Sequence, residues 1–389
     1  MPTRLEIPLG RPLPPGLLED LLSRLAYVSE HITGYESRTH DDGMVTLLLD
    51  LDGPADRVRE DVMLLVERMA AGYRPVEKIV LWKSPCRSSC QEDVFARMLA
   101  TGEAVPEGTG VFSCGPLVAR CMRRLRGDLE RLAHLLDAQE RLFPDLVSIE
   151  LLEKCGCFES FPHHLGFASR PVRDLQRIRE LHLKPSGDDG SRITQALAPP
   201  SFALQPAVCY HCYGLFAGQE LDCPQTLTCE GACYRYEGIR FVGLRRLQSF
   251  HMREFVFLGP GPFAETRRQR TIELVRELAV RWGLEARIET ATDPFFVDAY
   301  PSKRFFQLAT RAKYELRAKL PHDGGDLAVA SFNIHQDFFA RPLDIRFEGQ
   351  HVHTACTAFG LERWVYAFLA QYGLDSHLWP DELRDSMPG

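Results

Sequence analysis

Apolar positions in the first 84 residues switch between two periods. Leu5 to Pro8 and Val45 to Leu51 are strand-like runs, Gly16 to Val28 and Ala55 to Ala71 carry apolar residues at helical spacing, and Lys78 to Trp82 is a short apolar run. The order predicts a β-α-β-β-α-β unit, a small α/β (ferredoxin-like) domain over residues 1–84. Such a module can bind RNA, bind a protein partner or support its neighbour. Its strands show no aromatic-plus-basic stacking set, which favours docking or dimer support. Ser84-Pro85-Cys86-Arg87-Ser88-Ser89-Cys90 breaks the periodicity and predicts a linker.

Residues 85–389 form a second unit. Val118 to Leu142 predicts one long helix whose Arg123-Arg124-Leu125-Arg126 reads as a solvated, structural face. Beyond about residue 199 strand-like runs dominate: Phe202 to Tyr213, Thr228 to Glu237, Phe250 to Leu258, Glu285 to Thr290, Leu327 to Asn333 and Leu343 to Glu348. One clear helix, Phe263 to Trp282, interrupts them, and Leu361 to Tyr372 closes the unit. Strands with few crossover helices predict a mainly antiparallel sheet of the α+β class.

The chain has 389 residues, 45% hydrophobic and 25% charged, which is ordinary for a globular protein with a large core. Its net charge of −7 argues against a protein that mainly coats nucleic acid. No stretch approaches ~18 consecutive apolar residues, and the N-terminus lacks a signal pattern, so a cytoplasmic location with no membrane partner is expected. Eleven of the 12 cysteines fall between Cys86 and Cys233, unlike a secreted disulfide scaffold. Free thiols and metal ligands are the better reading.

Arg235 and Glu237 alternate with Tyr234 and Tyr236, so on a strand both charges share a face. Arg253-Glu254 follows the loop Gly238 to Leu247 on a second strand-like run, which makes an antiparallel pair with Arg245 or Arg246 in the connection. Arg363 opens the last helix. Fixed arginines near a carboxylate are what a protein needs to hold ATP while a substrate carboxylate attacks its α-phosphate. Phe250 supplies an aromatic face for adenine. The same residues also fit a structural salt-bridge ladder. In Phe161-Pro162-His163-His164 the adjacent histidines point to opposite faces of an extended chain, so one metal site does not take both. Cys155 and Cys157 read as buried thiols.

Cys233-Tyr-Arg-Tyr-Glu237 with Met252-Arg-Glu-Phe-Val256 resembles motif 2 of the class II aminoacyl-tRNA synthetases, and Ala358-Phe-Gly-Leu-Glu-Arg363 resembles their motif 3. Six further segments are similar to the amino acid:[carrier protein] ligases, relatives of the methanogenic-type seryl-tRNA synthetases. They are Pro206-Ala-Val-Cys-Tyr210, Ser249-Phe-His-Met-Arg-Glu-Phe255, Ala291-Thr-Asp-Pro-Phe-Phe296, Lys313-Tyr-Glu-Leu316, Ser331-Phe-Asn-Ile-His-Gln-Asp337 and His353-Thr-Ala-Cys356. The resemblance runs from about residue 92 to 375. It implies a class II synthetase-like antiparallel sheet flanked by helices.

The resemblance also implies a zinc ion on Cys209, Glu254 and Cys356, with the fourth position open for the amino group of the substrate. On spacing alone, Cys209-x-x-Cys212 with Cys223, Cys229 and Cys233 would instead suggest a four-cysteine structural zinc knuckle. By the same resemblance Arg235 contacts the α-phosphate and substrate carboxylate, Glu237 the adenine edge or amino group, and Arg363 the γ-phosphate. Phe250 and Arg363 sandwich the adenine, Lys313 meets substrate or phosphate, and Asn333 and Gln336 line the amino-acid pocket. ATP brings Mg²⁺, for which Glu237 or a carboxylate near Asn333 would serve.

The activity so implied is ATP-dependent activation of a small amino acid as its adenylate, with transfer to the phosphopantetheine thiol of a small carrier protein. A homodimer is implied, with the long helix and Phe143-Pro144 at the place of motif 1. The alternatives are a seryl-tRNA synthetase-like enzyme and a non-catalytic paralogue acting as a binding protein. The N-terminal extension is short and not markedly basic, so tRNA is not expected as a partner.

Overall fold

The computed structural model of the chain describes residues 3–182, 191–239, 241–296 and 300–386. In the N-terminal module, β1 (Thr3–Pro12), β2 (Ile32–Thr39) and β3 (Met44–Leu51) form an antiparallel sheet with β3 in the centre, where Ile7 and Ser37 flank Leu47. Helices α1 (Pro15–Leu25) and α2 (Ala55–Ala71) cover it, burying Leu17, Leu21 and Leu25 with Val58, Val62 and Val66 against Leu47, Leu49 and Leu51. These are the i, i+3, i+4 and i, i+2 spacings that periodicity predicts.

The sixth element does not complete this module. Strand β4 (Val80–Lys83) pairs antiparallel with Ala286–Thr290 at the edge of the large sheet. Two things hold it there. Thr290 N donates to Ile79 O at 2.9 Å, and the ring of Trp82 packs on the large core with the Arg276 guanidinium 5.5 Å from its centroid. An edge strand goes where unpaired backbone and apolar cover coincide. The module therefore ends with α2, and the boundary expected at residue 84 falls after a strand of the larger body.

That body is an eight-stranded sheet. In chain order its elements are α3 (Pro116–Leu135), β5 (Gln139–Glu140), α4 (Cys209–Leu215), β6 (Gln225–Tyr234), β7 (Ser249–Gly259), α5 (Gly261–Arg281), β8 (Ala286–Thr290), β9 (Lys313–Leu320), β10 (Gly325–Gln336), β11 (His353–Gly360) and α6 (Leu361–Tyr372). The strand order is β4-β8-β9-β10-β11-β7-β6-β5, antiparallel except for the β6–β5 pair. The fold is thus α+β, as the strand pattern predicts.

The two faces of the sheet do different work. Phe255, Phe257 and Phe359 point to one side and meet α5 and α6 in a core that holds Trp282, Trp364 and Phe368. Asp128 of α3, almost fully buried, locks that side together by accepting from Trp282 Nε1 and Arg124 Nε, each at 2.9 Å. Met252, Glu254 and Val256 point to the other side, toward α4. Alternation along β7 thus separates a helix-covered core from a functional face.

Three predicted elements come out differently. The long helix stops at Leu135 because Asp137 takes a positive φ of 51° and the chain turns into β5. The run Phe202 to Tyr213 is strand only over Phe202–Leu204; Pro206 then follows and α4 begins at Cys209. Leu343 to Glu348 is split between the helix Ala340–Leu343 and the strand Arg346–Phe347 by Asp344, at φ 49°. Among the described residues no helix is long and apolar enough to cross a membrane.

Candidate active site

The functional face of the sheet opens into a pocket lined by Cys209, Arg235, Glu237, Phe250, Glu254, Lys313, Asn333, Cys356 and Arg363. The expected site residues are thereby brought together, with one exception. Gln336 is exposed, sits at φ 53° and does not line the pocket; a register irregularity between Ile334 and Gln336 breaks the alternation. His335 lines it instead, in phase with Ser331 and Asn333.

At one end Cys209, Glu254 and Cys356 place a ligand atom each within 4.8 Å of one another, all three residues buried. Sheet pairing produces this. Val256 of β7 pairs with Cys356 of β11, so Glu254, two residues earlier, shares its face with Cys356. The first turn of α4 brings Cys209 over both, and its backbone bonds the Glu254 carboxylate. Burial pushes the Glu254 carboxyl up, against the hydrogen bonds from Cys356 and Cys209 that lower it. The Cys356 thiol raises Cys209 well above the usual range, with burial and Glu254 adding to it. Three acids crowded in a dry place favour their protonated forms, and a divalent cation would reverse that. Asn333 Nδ2 donates to Cys356 Sγ at 3.3 Å and to Ser331 Oγ at 3.2 Å, holding the thiol from behind.

The other cysteines of the proposed knuckle go elsewhere. Cys212 and Cys229 are buried with their sulfurs 3.6 Å apart, Cys223 is exposed, and Cys233 lies in the core. Among the described residues Cys209, Glu254 and Cys356 are the only cluster of three or more ligating side chains placed to share one metal ion.

Cations gather elsewhere in the pocket. The Arg235 guanidinium lies 5.5 Å from the centroid of Phe250, and its Nε donates to Pro206 O at 2.8 Å. Arg363 Nε donates to Arg245 O at 2.8 Å, and Arg246 Nη1 bonds Glu237 Oε2 at 2.6 Å. Burial, then the neighbouring Arg246, lowers Arg363 to about 10, with Arg235 adding to the effect against Glu237. Arg235 and Arg363 line the pocket with Arg246 behind Glu237, and guanidiniums held in this way suit a polyphosphate.

Lys313 sits between Asp293 (2.5 Å) and Glu315 (3.1 Å). Burial alone would lower its pKa, but the two carboxylates outweigh it and the ammonium is held firmly. Asp293 is in turn pushed below the usual carboxylate range, because Lys313 outweighs its burial. His164, also on the wall, is lowered to about 3 by burial and by His163, so it is neutral at pH 7. Asp293, Glu315 and His335 were given no site role from the sequence, and His164 was read only as half of a histidine pair unsuited to one metal. Strand alternation from Lys313 and Asn333 could have found Glu315 and His335; Asp293 lies within the family-like segment Ala291 to Phe296, which could have pointed to it. Arg253, adjacent to Glu254, points away from the site and bonds Thr228 and Glu140.

The family described as tRNA synthetase class II core domain (G, H, P, S and T) matches residues 197–372. The chain belongs to the class II aminoacyl-tRNA synthetase family. It is 35% identical over 248 residues to the amino acid–[acyl-carrier-protein] ligase 2 of Bradyrhizobium diazoefficiens, spanning 62% of this chain and 72% of that protein. It is 29% identical over 342 residues to the type-2 serine–tRNA ligase of Methanocaldococcus jannaschii, spanning 83% of this chain and 64% of that one. This chain spans between about half and two thirds of the length of the type-2 serine–tRNA ligases it matches. Among solved structures, the M. kandleri SerRS in complex with A. aeolicus tRNASec superposes with a TM-score of 0.71 at 22% identity, covering 98% of this chain and 76% of that one.

One expectation is overturned here. The sequence suggested that tRNA is not a partner, yet that fold match, to a synthetase bound to tRNA, runs through the N-terminal module as well as the catalytic body. Net charge sums over the whole surface and does not report on a local binding face.

Proposed function

We propose that the chain activates a small α-amino acid with ATP and passes the aminoacyl group to tRNA. The observation that carries this reading is the convergence, in one pocket, of Arg235, Phe250 and Arg363 with the acidic group Cys209, Glu254 and Cys356. The substrate carboxylate attacks the α-phosphorus, a P–O bond forms, and the bond to pyrophosphate breaks with its electrons on the leaving group. Arg235 stabilises charge at the α-phosphate, Arg363 the far phosphates, and Phe250 offers its face to adenine. Glu237 borders the same base and is oriented by Arg246. Lys313 and Asn333 border the amino-acid end.

The two thiols and one carboxylate fit zinc, whose preferred ligands are sulfur, nitrogen and carboxylate oxygen. When bound, zinc would offer an open position to the substrate amine. Mg²⁺ would accompany ATP, and Glu237, Glu315 and Glu362 are pocket-lining carboxylates available to it. The homodimer implied by the resemblance belongs to the same proposal.

A second reading is favoured by the 35% identity to an amino acid–[acyl-carrier-protein] ligase: the acceptor is a phosphopantetheine thiol on a small carrier protein. Pyrophosphate exchange with each of the twenty amino acids, followed by transfer to tRNA or to a holo carrier protein, decides between them. Exchange with none of the twenty would leave a non-catalytic binding protein.

A further inference from the structure

The acidic triad carries a charge that its own atoms do not balance. Two thiolates and one carboxylate around a divalent cation leave one negative charge in excess, and in a buried place such a charge needs N–H donors beside it. Strand β10 supplies two, both to Cys356. Asn333 Nδ2 lies 3.3 Å from Cys356 Sγ, and His335 Nε2 lies 3.8 Å from it, within reach of the large sulfur atom.

The far side of the His335 ring fixes which nitrogen donates. Nδ1 faces two hydroxyls, Thr354 Oγ1 at 3.2 Å and Tyr213 Oη at 3.5 Å, and both of those residues are fully buried. A hydroxyl can give its proton to a ring nitrogen, whereas a metal-bound thiolate only accepts, so the tautomer that suits both sides has Nδ1 accepting and Nε2–H donating to sulfur. The opposite tautomer would set a nitrogen lone pair against those of the sulfur. Phe339 holds the ring plane, meeting His335 edge-on at 4.9 Å while it stacks on Tyr213 at 4.4 Å. Tyr213 stands one turn beyond Cys209 on α4, so His335 bridges the helix that carries one thiol and the strand that carries the other.

The backbone is shaped for this contact. β10 and β11 pair regularly as far as Ile334 and Ala355, after which Gln336 takes the place opposite Thr354. His335 is left outside the pairing as the extra residue of a bulge, a device that re-aims a side chain beside a site. Its ring reaches Cys356 and is not part of the group whose ligand atoms all lie within 4.8 Å of one another. It therefore acts on Cys356 and does not close the fourth coordination position.

We propose that His335 is a positioning residue for the triad: its Nε2–H bond, added to that of Asn333, orients the Cys356 sulfur toward the cation and draws charge from it. This rests on the reading of the triad as a zinc site that binds the substrate amine. A sulfur relieved of charge is a weaker donor, which leaves more of the cation's acceptor strength for the amine.

Two variants of the full chain test it. His335→Phe keeps a ring and removes both nitrogens; His335→Gln keeps an N–H near the place of Nε2. Starting from metal-free protein, chelator competition should give zinc binding about 10–100-fold weaker than the parent in His335→Phe, and within about three-fold of it in His335→Gln. In the cobalt-loaded chains the sulfur-to-cobalt charge-transfer band should move to longer wavelength in His335→Phe and return toward the parent position in His335→Gln, a pattern that lost packing alone does not produce. In pyrophosphate exchange the KM for the amino acid should rise in His335→Phe while that for ATP stays. Unchanged affinity and band position in His335→Phe would overturn the assignment. So would equal losses in the two variants, because the ring would then serve packing or ligation and not donation. A parent that takes up no more cobalt than Cys356→Ala overturns the zinc reading itself, an outcome visible before either variant at His335 is made.

Discussion

The two ends of the active-site region are built from different material. The acidic triad hangs on interior strands: Glu254 on β7 and Cys356 on β11 are fixed by ladder hydrogen bonds on both sides, and α4 closes over them. The edge facing the N-terminal module is made of connections, residues 161–164, 235–239, 241–248 and 293–296, braced by the end of α1. A rigid end suits recognition of a group common to all α-amino acids, and an edge of loops suits recognition of what differs between acceptors. On the proposed function, the chemistry of activation and the choice of acceptor are therefore separable.

Several measurements would sharpen or break that contrast. The largest effect should come from the amine. If the triad holds zinc that binds it, a hydroxy acid in place of the amino acid should lose exchange by on the order of 10⁴-fold. Cys356→Ala should lose both bound zinc, by elemental analysis, and this discrimination; a variant that kept both would detach the triad from substrate recognition.

Next is the phosphate side. Arg235→Ala should lower the exchange rate by about 10²–10³-fold with little change in melting temperature, as expected when a fixed donor to developing charge is lost. A drop of less than about three-fold would move the phosphate away from Arg235.

Stability offers the third comparison. Lys313→Met leaves Asp293 and Glu315 without their shared cation. The loss read by urea unfolding should be about 3 kcal/mol, at the low end for a broken buried pair because Asp293 keeps 30% of its side chain exposed. By contrast Gly238→Val, at φ 61° with its Cβ position 2.9 Å from Ala26, should cost about 1–3 kcal/mol and loosen the module-facing loop. Its exchange activity should survive better than its transfer activity.

The smallest effect concerns pH. His251 bonds Glu362 at 2.7 Å; that bond raises its pKa, with burial opposing. A base raised on folding stabilises fully below its unfolded value, near 6.5, and the contribution disappears as pH climbs through the higher folded value. The stability difference between the parent and His251→Gln should shrink from pH 6 toward pH 9, by under about 1 kcal/mol because the His251 side chain is about half exposed to solvent screening.

Much of this was legible in the sequence where a single period runs without competition. Leu361 to Tyr372 is the same helix in pattern and in structure, and α5 and β7 differ from expectation by two residues or fewer at either end. The site was legible through short motifs rather than through spacing, since its members come together only by pairing of β7 with β11 and the fold-back of α4. What was missed has local causes. A single irregular pairing near residue 335 exchanged His335 for Gln336, and a proline turned a presumed strand into the helix that carries Cys209. Strand β4 was misassigned because an apolar run does not say which of two open sheet edges it will join.

That last strand bears on how the two parts of the chain can be inherited. A cut at the apparent linker, after Lys83, would remove the module together with an outer strand, baring the backbone of Ala286–Thr290 to pairing with other chains. A cut between Gly72 and Ile79 would not. A shortened gene product that stays monodisperse should therefore begin within those eight residues, and the module behaves as an exchangeable cassette only when β4 stays behind.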